Sequence, residues 1–435
     1  MTSSTAIQAG PATLGERIRV ARHERGLSQS ALAGEELTKG FISQVESGLV
    51  RPSLRSLQIL ATRLGKPLDY FLGDETLAST KRVTFHRLAA QAAAERGEWA
   101  VVRAEVASAL PHGGEPRERA KLMSLLASAD LAAGDYEQTF ARVNEALAVL
   151  EPATDAADIA QLLYRRGTAY AHLGQLVAAA EAFEAARQTV DQYEVIDNRL
   201  RARLLVSLGT AYRRLNRTTK ALATYEAALS LASRSSETEL AARSYMGLAA
   251  SLFDSGEFDS AIANYQRALE LWERLSDASF ELSVLHSLAG AYFEQGSVDR
   301  ARLMADRCLV RAELLGDAKE VAVAQTELAR VALAEGSTEE SLRLAGLADA
   351  ALAGLQDDRQ RASALRAMAA AHDARGEYPA SDAAYRKAID LVTHIDHLAD
   401  RSAIAAEYAQ KLRARGDMDA AFDMLDLARG SSAKH

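Results

Sequence analysis

The side chains best placed for chemistry in this sequence share one face of a short predicted helix near the N-terminus. At helical spacing, the polar face of this helix carries Lys39, Gly40, Ser43 and Gln44, and the apolar face carries Phe41, Ile42 and Val45. In a DNA major groove Lys pairs with guanine and Gln with adenine, while Ser accepts several partners and Gly permits close approach. The pattern therefore indicates a surface that hydrogen-bonds with base edges.

This helix is the second of two within the segment Leu27–Gly48. Ser28 and Thr38 are the predicted N-caps of the two helices, and Gly48 is predicted to end the second. Two short helices joined by a tight connection are the element that places a recognition helix in a major groove. Three further predicted helices complete a domain of about five helices, at 13–25, 53–64 and 67–73.

Charge is divided unequally along the 435 residues. Residues 1–73 contain nine Lys and Arg against six Asp and Glu, a net charge of +3, whereas the rest of the chain carries −11. The acidic part would repel nucleic acid, so phosphate contacts are expected from the first 73 residues.

Composition argues against several classes of protein. No apolar run is long enough to span a bilayer and the N-terminus lacks a signal-peptide pattern, so we expect a cytoplasmic protein that makes no membrane contact. The single cysteine, Cys308, occupies a small packing position and is interpreted as a buried thiol. We expect no metal site, because a pair of surface histidines explains His394 and His397 better. We expect neither an enzyme nor a cofactor, because the usual phosphate, dinucleotide and nucleophile motifs are missing.

Residues 13–73 resemble the XRE family of Cro/phage-repressor-type helix-turn-helix domains. The resemblance rests on Leu27-Ser28-Gln29, Leu32-Ala33, Ile42-Ser43-Gln44-Val45-Glu46, Gly48 and Arg51-Pro52-Ser53-Leu54. It implies a phosphate contact for Gln29, backbone contacts to DNA for Arg51 and Ser56, and a structural role for Glu46. The base-reading face implied consists of Lys39, Gly40, Ser43 and Gln44. The DNA-binding residues implied are Gln29, Thr38, Lys39, Gly40, Ser43, Gln44, Arg51 and Ser56.

Two points qualify this comparison. The connection Gly34–Leu37 is one residue shorter than is usual in the family, so the recognition helix is expected to enter at a slightly different angle. The alternative for Gln29 and Gln44 is that both are solvated helix residues without a DNA partner.

From residue 83 onwards, turn residues recur with a nearly constant period. They are Gly97, Gly134, Gly174, Asn216, Gly256, Gly296, Gly336, Gly376 and Gly416, and the last five intervals are 40 residues each. The residue five places after the turn is small in most units, the ninth is often aromatic and the twelfth is small again. Such a period predicts stacked helix pairs in which small residues allow close approach and aromatics fill the space beside them.

This arrangement resembles the tetratricopeptide (TPR) repeat over residues 83–430, which implies about nine units in a right-handed α-solenoid. Two features depart from the family. The period of 40 exceeds the usual one of about 34, so helices or connections must be longer. The proline that usually closes a unit is absent, and its place is taken by Asp191, Ser233, Glu273 and Glu313.

TPR arrays bind peptides or partner helices along an inner wall made by the first helix of each pair. The candidate peptide-binding residues on this wall are Gln161, Tyr164, Arg165, Thr168, Arg203, Ser207, Arg243, Met246, Ser283, His286 and Arg330. Arg165, Arg203 and Arg243 could hold carboxylates by bidentate pairing. The alternative is that they pair with local acids on a solvated face.

The sequence as a whole predicts an all-α bacterial transcription regulator. Its predicted parts are a disordered tail at 1–12, the helix-turn-helix domain at 13–73, a linker at 74–82 and the repeats at 83–430. The combination resembles the peptide-pheromone-responsive, quorum-sensing regulators of Gram-positive bacteria. That resemblance implies a homodimer on a palindromic operator in double-stranded DNA, with a short signalling peptide bound by the repeats.

Two other interpretations stay open. In one, the head binds DNA and the repeats dock a protein partner without a small ligand. In the other, the head is itself a protein-interaction module.

Overall fold

The computed structural model describes residues 13–429, except 35, 51, 69, 72–78, 113–114 and 395–397. Its regular structure consists of 22 α-helices and one 3-10 turn at Leu110–His112, with no strand among the described residues. This confirms the predicted all-α fold. Contacts between helices divide the chain into two compact units, Met1–Ala169 and Tyr170–His435, and each is described by itself.

The N-terminal domain opens the first unit and begins each of its helices at a capping side chain. Its helices are α1 (Leu14–Glu24), α2 (Gln29–Ala33), α3 (Lys39–Glu46) and α4 (Leu54–Leu64). The capping oxygens of Thr13, Ser28, Thr38 and Ser53 each accept a hydrogen bond from the backbone N–H three residues later. These bonds satisfy donors that a helix cannot pair internally, which explains why the helices start at the predicted residues.

A small apolar core holds these four helices together. Its fully buried members include Ile18, Leu32, Ile42, Leu60 and Phe71. Phe71 comes from the fifth predicted helix at 67–73, which lies only partly within the described residues, and it packs into the core as expected. The predicted tail at 1–12 lies outside the described residues.

The rest of the first unit consists of repeat helices. They are α5 (Ser79–Glu95), α6 (Trp99–Ala109), α7 (Pro116–Ala132), α8 (Tyr136–Leu147) and α9 (Pro152–His172), which continues into the second unit. Helix α5 begins at Ser79, inside the segment 74–82 predicted as a linker, of which 74–78 lie outside the described residues. A non-helical backbone conformation at Asp155 kinks the first turn of α9.

The second unit continues the series of helix pairs. Its helices are α10 (Leu176–Gln192), α11 (Asn198–Arg214), α12 (Thr218–Arg234), α13 (Thr238–Asp254), α14 (Phe258–Leu275), α15 (Ala278–Glu294), α16 (Val298–Leu315), α17 (Ala318–Ala334), α18 (Thr338–Leu355), α19 (Asp358–Ala374), α20 (Tyr378–His394), α21 (Leu398–Ala414) and α22 (Met418–Arg429).

Each predicted turn residue joins the two helices of a pair. All nine have a left-handed backbone, with φ between +57° at Asn216 and +87° at Gly296. Glycine adopts this conformation without steric cost, and Asn is the residue that best replaces it. The turn residues predicted from the period are therefore the turns of nine helix pairs.

The period of 40 residues is explained by long helices and short connections. Helices α15 and α17 contain 17 residues and α16 contains 18, separated only by 295–297 and 316–317. Glu313, which stands where the family usually has proline, is helical because it can donate its backbone N–H to the helix. The absence of proline thus lets each second helix extend.

The repeat positions predicted to pack are buried. Tyr225, Tyr265 and Tyr385 are at most 5% exposed, as expected for residues that fill space between helix pairs. Cys308 is also buried, and burial raises the pKa of its thiol to about 12, which confirms the interpretation as a packing residue. None of the helices described has the length and apolar composition to cross a membrane.

Candidate DNA-binding surface and polar row of the repeats

Helix α3 presents a polar face to solvent and an apolar face to the domain core. Thr38, Lys39, Gly40, Ser43 and Gln44 are all exposed. On the other side Ile42 and Val45 are 0% and 2% exposed. The structure therefore brings the predicted base-reading residues together on one accessible surface, which we call the α3 face.

The C-terminal end of α3 is anchored by an ion pair that links three helices. Arg22 of α1 donates from Nε to Glu46 Oε1 at 2.6 Å and from Nη2 to Oε2 at 3.0 Å. Gln29, the first residue of α2, donates from Nε2 to the same Glu46 Oε2 at 2.8 Å. Glu46 thus has the structural role implied by the family resemblance.

Electrostatics keep this carboxyl group ionised. Burial alone would raise the pKa of Glu46, but hydrogen bonds from Arg22 and Gln29 and the charge of Arg22 lower it below its ordinary value. The hydrogen bond to Glu46 raises the pKa of Arg22. Because an ionised carboxylate only accepts hydrogen bonds, the amide nitrogen of Gln29 must face Glu46. Its predicted phosphate contact would then use the second amide hydrogen.

Arg51 and Ser56, which follow α3 in the sequence, are two residues predicted to contact the DNA backbone. Arg51 lies outside the described residues. Ser56 is half-buried, and its hydroxyl lies 2.9 Å from that of Ser53, the N-cap of α4. Ser56 therefore lies at a helix N-terminus, where backbone N–H groups and the helix dipole favour an anion such as a phosphate.

Arg63 is a structural residue that the sequence analysis missed. Its Nη1 donates to the carbonyl oxygens of Leu32, at 3.0 Å, and Ala33, and its guanidinium pairs with Glu36. These contacts hold the shortened connection between α2 and α3. No local pattern points to them, because Arg63 lies 31 residues from Leu32.

The predicted peptide-binding residues of the first unit lie on α9. Gln161, Tyr164, Arg165 and Thr168 are all half-buried. Arg165 Nε donates to Ser128 Oγ of α7 at 2.6 Å, and Thr168 donates to the carbonyl oxygen of Tyr164 at 2.9 Å. Arg165 is thus partly engaged by its own array.

In the second unit, the remaining predicted residues lie on the first helices of successive pairs. This polar row comprises Arg203 and Ser207 on α11, Arg243 and Met246 on α13, Ser283 and His286 on α15, and Arg330 on α17. Arg203 and Ser283 are exposed and the others are half-buried.

Two arginines of the polar row already have acidic and aromatic partners. Arg243 Nε lies 2.9 Å from Glu239 Oε1, and its guanidinium carbon is 4.4 Å from the Phe280 ring centroid. Arg330 pairs with Glu294 at 2.9 Å and with Glu327 at 2.8 Å. Arg243 therefore pairs with a local acid, as in the alternative interpretation, and Arg330 does the same.

Met246 and His286, two further members of the polar row, differ in their contacts. Trp272 stacks on Phe280 at 4.2 Å between centroids and donates from Nε1 to the Met246 sulfur at 3.2 Å. His286 Nδ1 is buried and has no hydrogen-bond partner among the described residues. Met246 therefore packs within the array, and His286 presents an unused nitrogen.

Beside the polar row, Tyr225 fits closely between two helices. A Cβ atom on Gly209 of α11 or on Gly247 of α13 would lie 2.9 or 2.1 Å from its ring. Its hydroxyl is 2.9 Å from Thr210 Oγ1. Tyr225 stands at the often aromatic ninth position after its turn residue, but no sequence signal points to Gly247, since the contact joins different repeats.

No group of three or more His, Cys, Asp or Glu side chains is arranged to hold a metal ion in the part of the chain that the structure describes.

Two segments match protein families. Residues 18–71 match the helix-turn-helix family, and residues 195–346 match the MalT-like TPR region. The chain is also 30% identical over 115 residues to the immunity repressor protein of Bacillus phage phi105, a match that covers 26% of this chain and 80% of the repressor.

Solved structures share the helical architecture at low sequence identity. The apo form of the quorum sensor NprR from B. thuringiensis is 12% identical, with a TM-score of 0.63, over 81% of this chain and 98% of that one. The Rap conjugation gene regulator of plasmid pLS20, in complex with a Phr peptide, is 17% identical, with a TM-score of 0.52, over 72% and 88% of the two chains. At these identities the likeness shows the fold.

Proposed function

We propose that this chain, which belongs to the XRE-type helix-turn-helix family of phage immunity repressors, regulates transcription as a homodimer that binds a palindromic operator. The observation that carries the proposal is the α3 face, where Lys39, Ser43 and Gln44 are exposed above a buried apolar side. A helix of this kind reads bases when its own position is fixed. The bond network of Glu46 fixes it.

The palindrome follows from symmetry. A dimer with a two-fold axis presents two recognition helices in inverted orientation, so its half-sites lie about 34 Å apart or a multiple of that distance. Such a protein acts where the DNA is, in the cytoplasm of a bacterium.

The repeats of this regulator bind a short peptide that changes its affinity for DNA. Support comes from the polar row, where Arg203 is exposed on the first helix of its pair, and from the peptide named in the complex of the pLS20 regulator. A peptide alters DNA affinity only if it binds two arrangements of the protein unequally.

A second function has an observation in its favour. Arg243 and Arg330 pair with carboxylates of the array itself, which leaves less positive charge for a peptide carboxylate. In this alternative the repeats dock a protein partner and bind no small ligand.

Selection of random duplexes by the full-length protein tests the DNA proposal. We expect enrichment of one inverted repeat, and competition by that duplex against a scrambled one of equal length. Recovery of unrelated sequences with no common half-site would contradict it. Titration with a library of short synthetic peptides then separates the two roles of the repeats, because only the peptide-sensing role predicts a change in operator affinity.

A further inference from the structure

The last helix of the second unit exposes an apolar stripe. On α22, Met418, Phe422 and Leu425 are 61%, 69% and 44% exposed. They lie at positions i, i+4 and i+7 and therefore share one face of the helix. Large apolar side chains that are exposed together on one helix face mark a docking surface.

The repeat pattern shows that the position of Leu425 is covered in the preceding pairs. Leu425 stands nine residues after its turn residue, and the five preceding residues at this position are at most 5% exposed: Tyr225, Tyr265, Ala305, Ala345 and Tyr385. Tyr385 lies on α20, the second helix of the preceding pair, and α21 covers it. Tyr408 of α21 stacks on Tyr385 at 4.8 Å between ring centroids, and Glu407 of α21 accepts a hydrogen bond from the Tyr385 hydroxyl at 2.9 Å. No helix among the described residues packs on Leu425 of α22 as α21 packs on Tyr385 of α20.

We propose that a second copy of this chain covers the stripe, with the two α22 helices packed antiparallel about a two-fold axis. With Phe422 set opposite Leu425 of the partner subunit, antiparallel pairing brings these two apolar side chains into contact at two symmetry-related places. It also places Arg429 opposite Met418 of the partner subunit and beside Asp419 of the partner subunit. The stripe is thus complementary to itself.

Charge determines the orientation. Asp419 and Arg429 are exposed at opposite ends of α22, and neither forms an ion pair within the described part of the chain. An antiparallel pair joins each Asp419 to an Arg429 and creates two charge-assisted contacts related by symmetry. A parallel pair would place like charges side by side and lose both contacts.

This interface rests on the proposed homodimer and identifies the surface that forms it. One helix pair lies at the low end of the size range of specific interfaces, so the dimer is expected to form in a concentration-dependent way. Sedimentation equilibrium of the full-length protein, without DNA or peptide, measures it directly.

The first test places charge on the stripe. Phe422→Asp with Leu425→Asp is expected to raise the dimer dissociation constant at least about tenfold, because both symmetry-related contacts between Phe422 and Leu425 are lost. The matched control is Val310→Asp with Leu314→Asp on α16, two side chains that are 56% and 76% exposed outside the stripe. The control should leave the dissociation constant unchanged. Circular dichroism confirms that all variants keep their helices.

The second test reverses the charges. Asp419→Arg alone or Arg429→Asp alone should weaken the dimer, and the two together should restore it, since each exchanged pair is again of opposite sign. Weakening without restoration overturns the antiparallel arrangement. If Phe422→Asp with Leu425→Asp leaves the dimer unaffected, the α22 interface is overturned and the proposed homodimer still stands. If the wild-type protein is monomeric at every concentration, both the interface and the homodimer are overturned.

Discussion

Arg22 and Glu46, separated by 24 residues, form a two-point ion pair that ties α1 to the last turn of α3. Their side chains are 9% and 5% exposed. The same carboxylate receives Gln29 from α2, so three helices meet at one buried group. The orientation of the α3 face therefore depends on residues that do not belong to α3.

Removal of one member of this pair should destabilise the N-terminal domain. Glu46→Ala leaves the Arg22 guanidinium buried without its partner, at an expected cost of about 3 kcal/mol. The control is Glu24→Ala, which breaks the exposed pair with Lys66 and should cost less than about 1 kcal/mol. Hydrogen exchange of the α1 and α3 amides in the full-length protein reports both values. Equal effects of the two substitutions would show that the buried pair does not hold the domain.

The contribution of Glu46 should depend on pH in one direction. Because the pKa of Glu46 is lower in the folded protein than in the unfolded chain, its stabilising effect is fully present above the unfolded pKa. The effect is lost as the pH falls through the folded pKa. We expect the stability difference between the wild type and Glu46→Gln to be constant near neutral pH and to shrink in acid. A difference that grows on acidification would contradict the assigned pKa direction.

The α3 face should determine which DNA sequence is bound. Lys39→Ala together with Gln44→Ala removes two side chains proposed to contact bases, each worth about 1–3 kcal/mol of discrimination when it pairs well. The ratio of operator to random-DNA affinity should therefore fall at least about tenfold. Gln58→Ala, an exposed glutamine on α4, is the control and should leave the ratio unchanged. If the double variant discriminates as the wild type does, the recognition surface lies elsewhere.

Much of this surface can be predicted from sequence, because helix caps and faces are local properties. Ser28 and Thr38 cap the helices they were expected to cap, and Thr13 and Ser53 cap the helices predicted to begin at those residues. The ion pair of Arg22 and the carbonyl contacts of Arg63 could not be derived in the same way. Both join residues far apart in sequence, and their geometry depends on the packed domain.

The repeats show the same division. The positions of the nine turn residues follow from the period alone, since every helix pair has the same left-handed backbone conformation at its turn. The partners of Arg243 and Arg330 lie partly on neighbouring helices, and periodicity says nothing about which acid reaches which arginine. Whether the polar row binds a peptide stays a prediction.

Tyr225 and Gly247 provide a test of how neighbouring repeats pack. Gly247→Ala would place a Cβ atom 2.1 Å from the Tyr225 ring, so helix or ring must shift, at an expected cost of about 1–3 kcal/mol. Gly290→Ala is the matched control on α15, where a Cβ atom meets no atom within 4 Å. It should stabilise the helix by up to about 1 kcal/mol. Thermal unfolding should shift in opposite directions, and a neutral Gly247→Ala would contradict the close fit.

The polar row should be sensitive to charge at one position. Arg203→Glu reverses an exposed charge on α11 and should abolish the effect of a binding peptide on operator affinity. Arg267→Glu is the control, because this residue is 65% exposed on α14, a second helix of its pair. Calorimetric titration of an active peptide into both variants distinguishes them. A response that survives in Arg203→Glu would place the peptide site elsewhere in the repeats.

The salt dependence of DNA binding by the full-length protein tests the central claim most directly. If the basic N-terminal domain contacts about four to six phosphates per dimer, log K for the selected operator should fall linearly with log salt, with a slope of about −4 to −5. The acidic repeats cannot supply such a dependence, because they carry a net negative charge. A steep slope for the wild type is the predicted result, and a flat profile would contradict DNA binding by this domain.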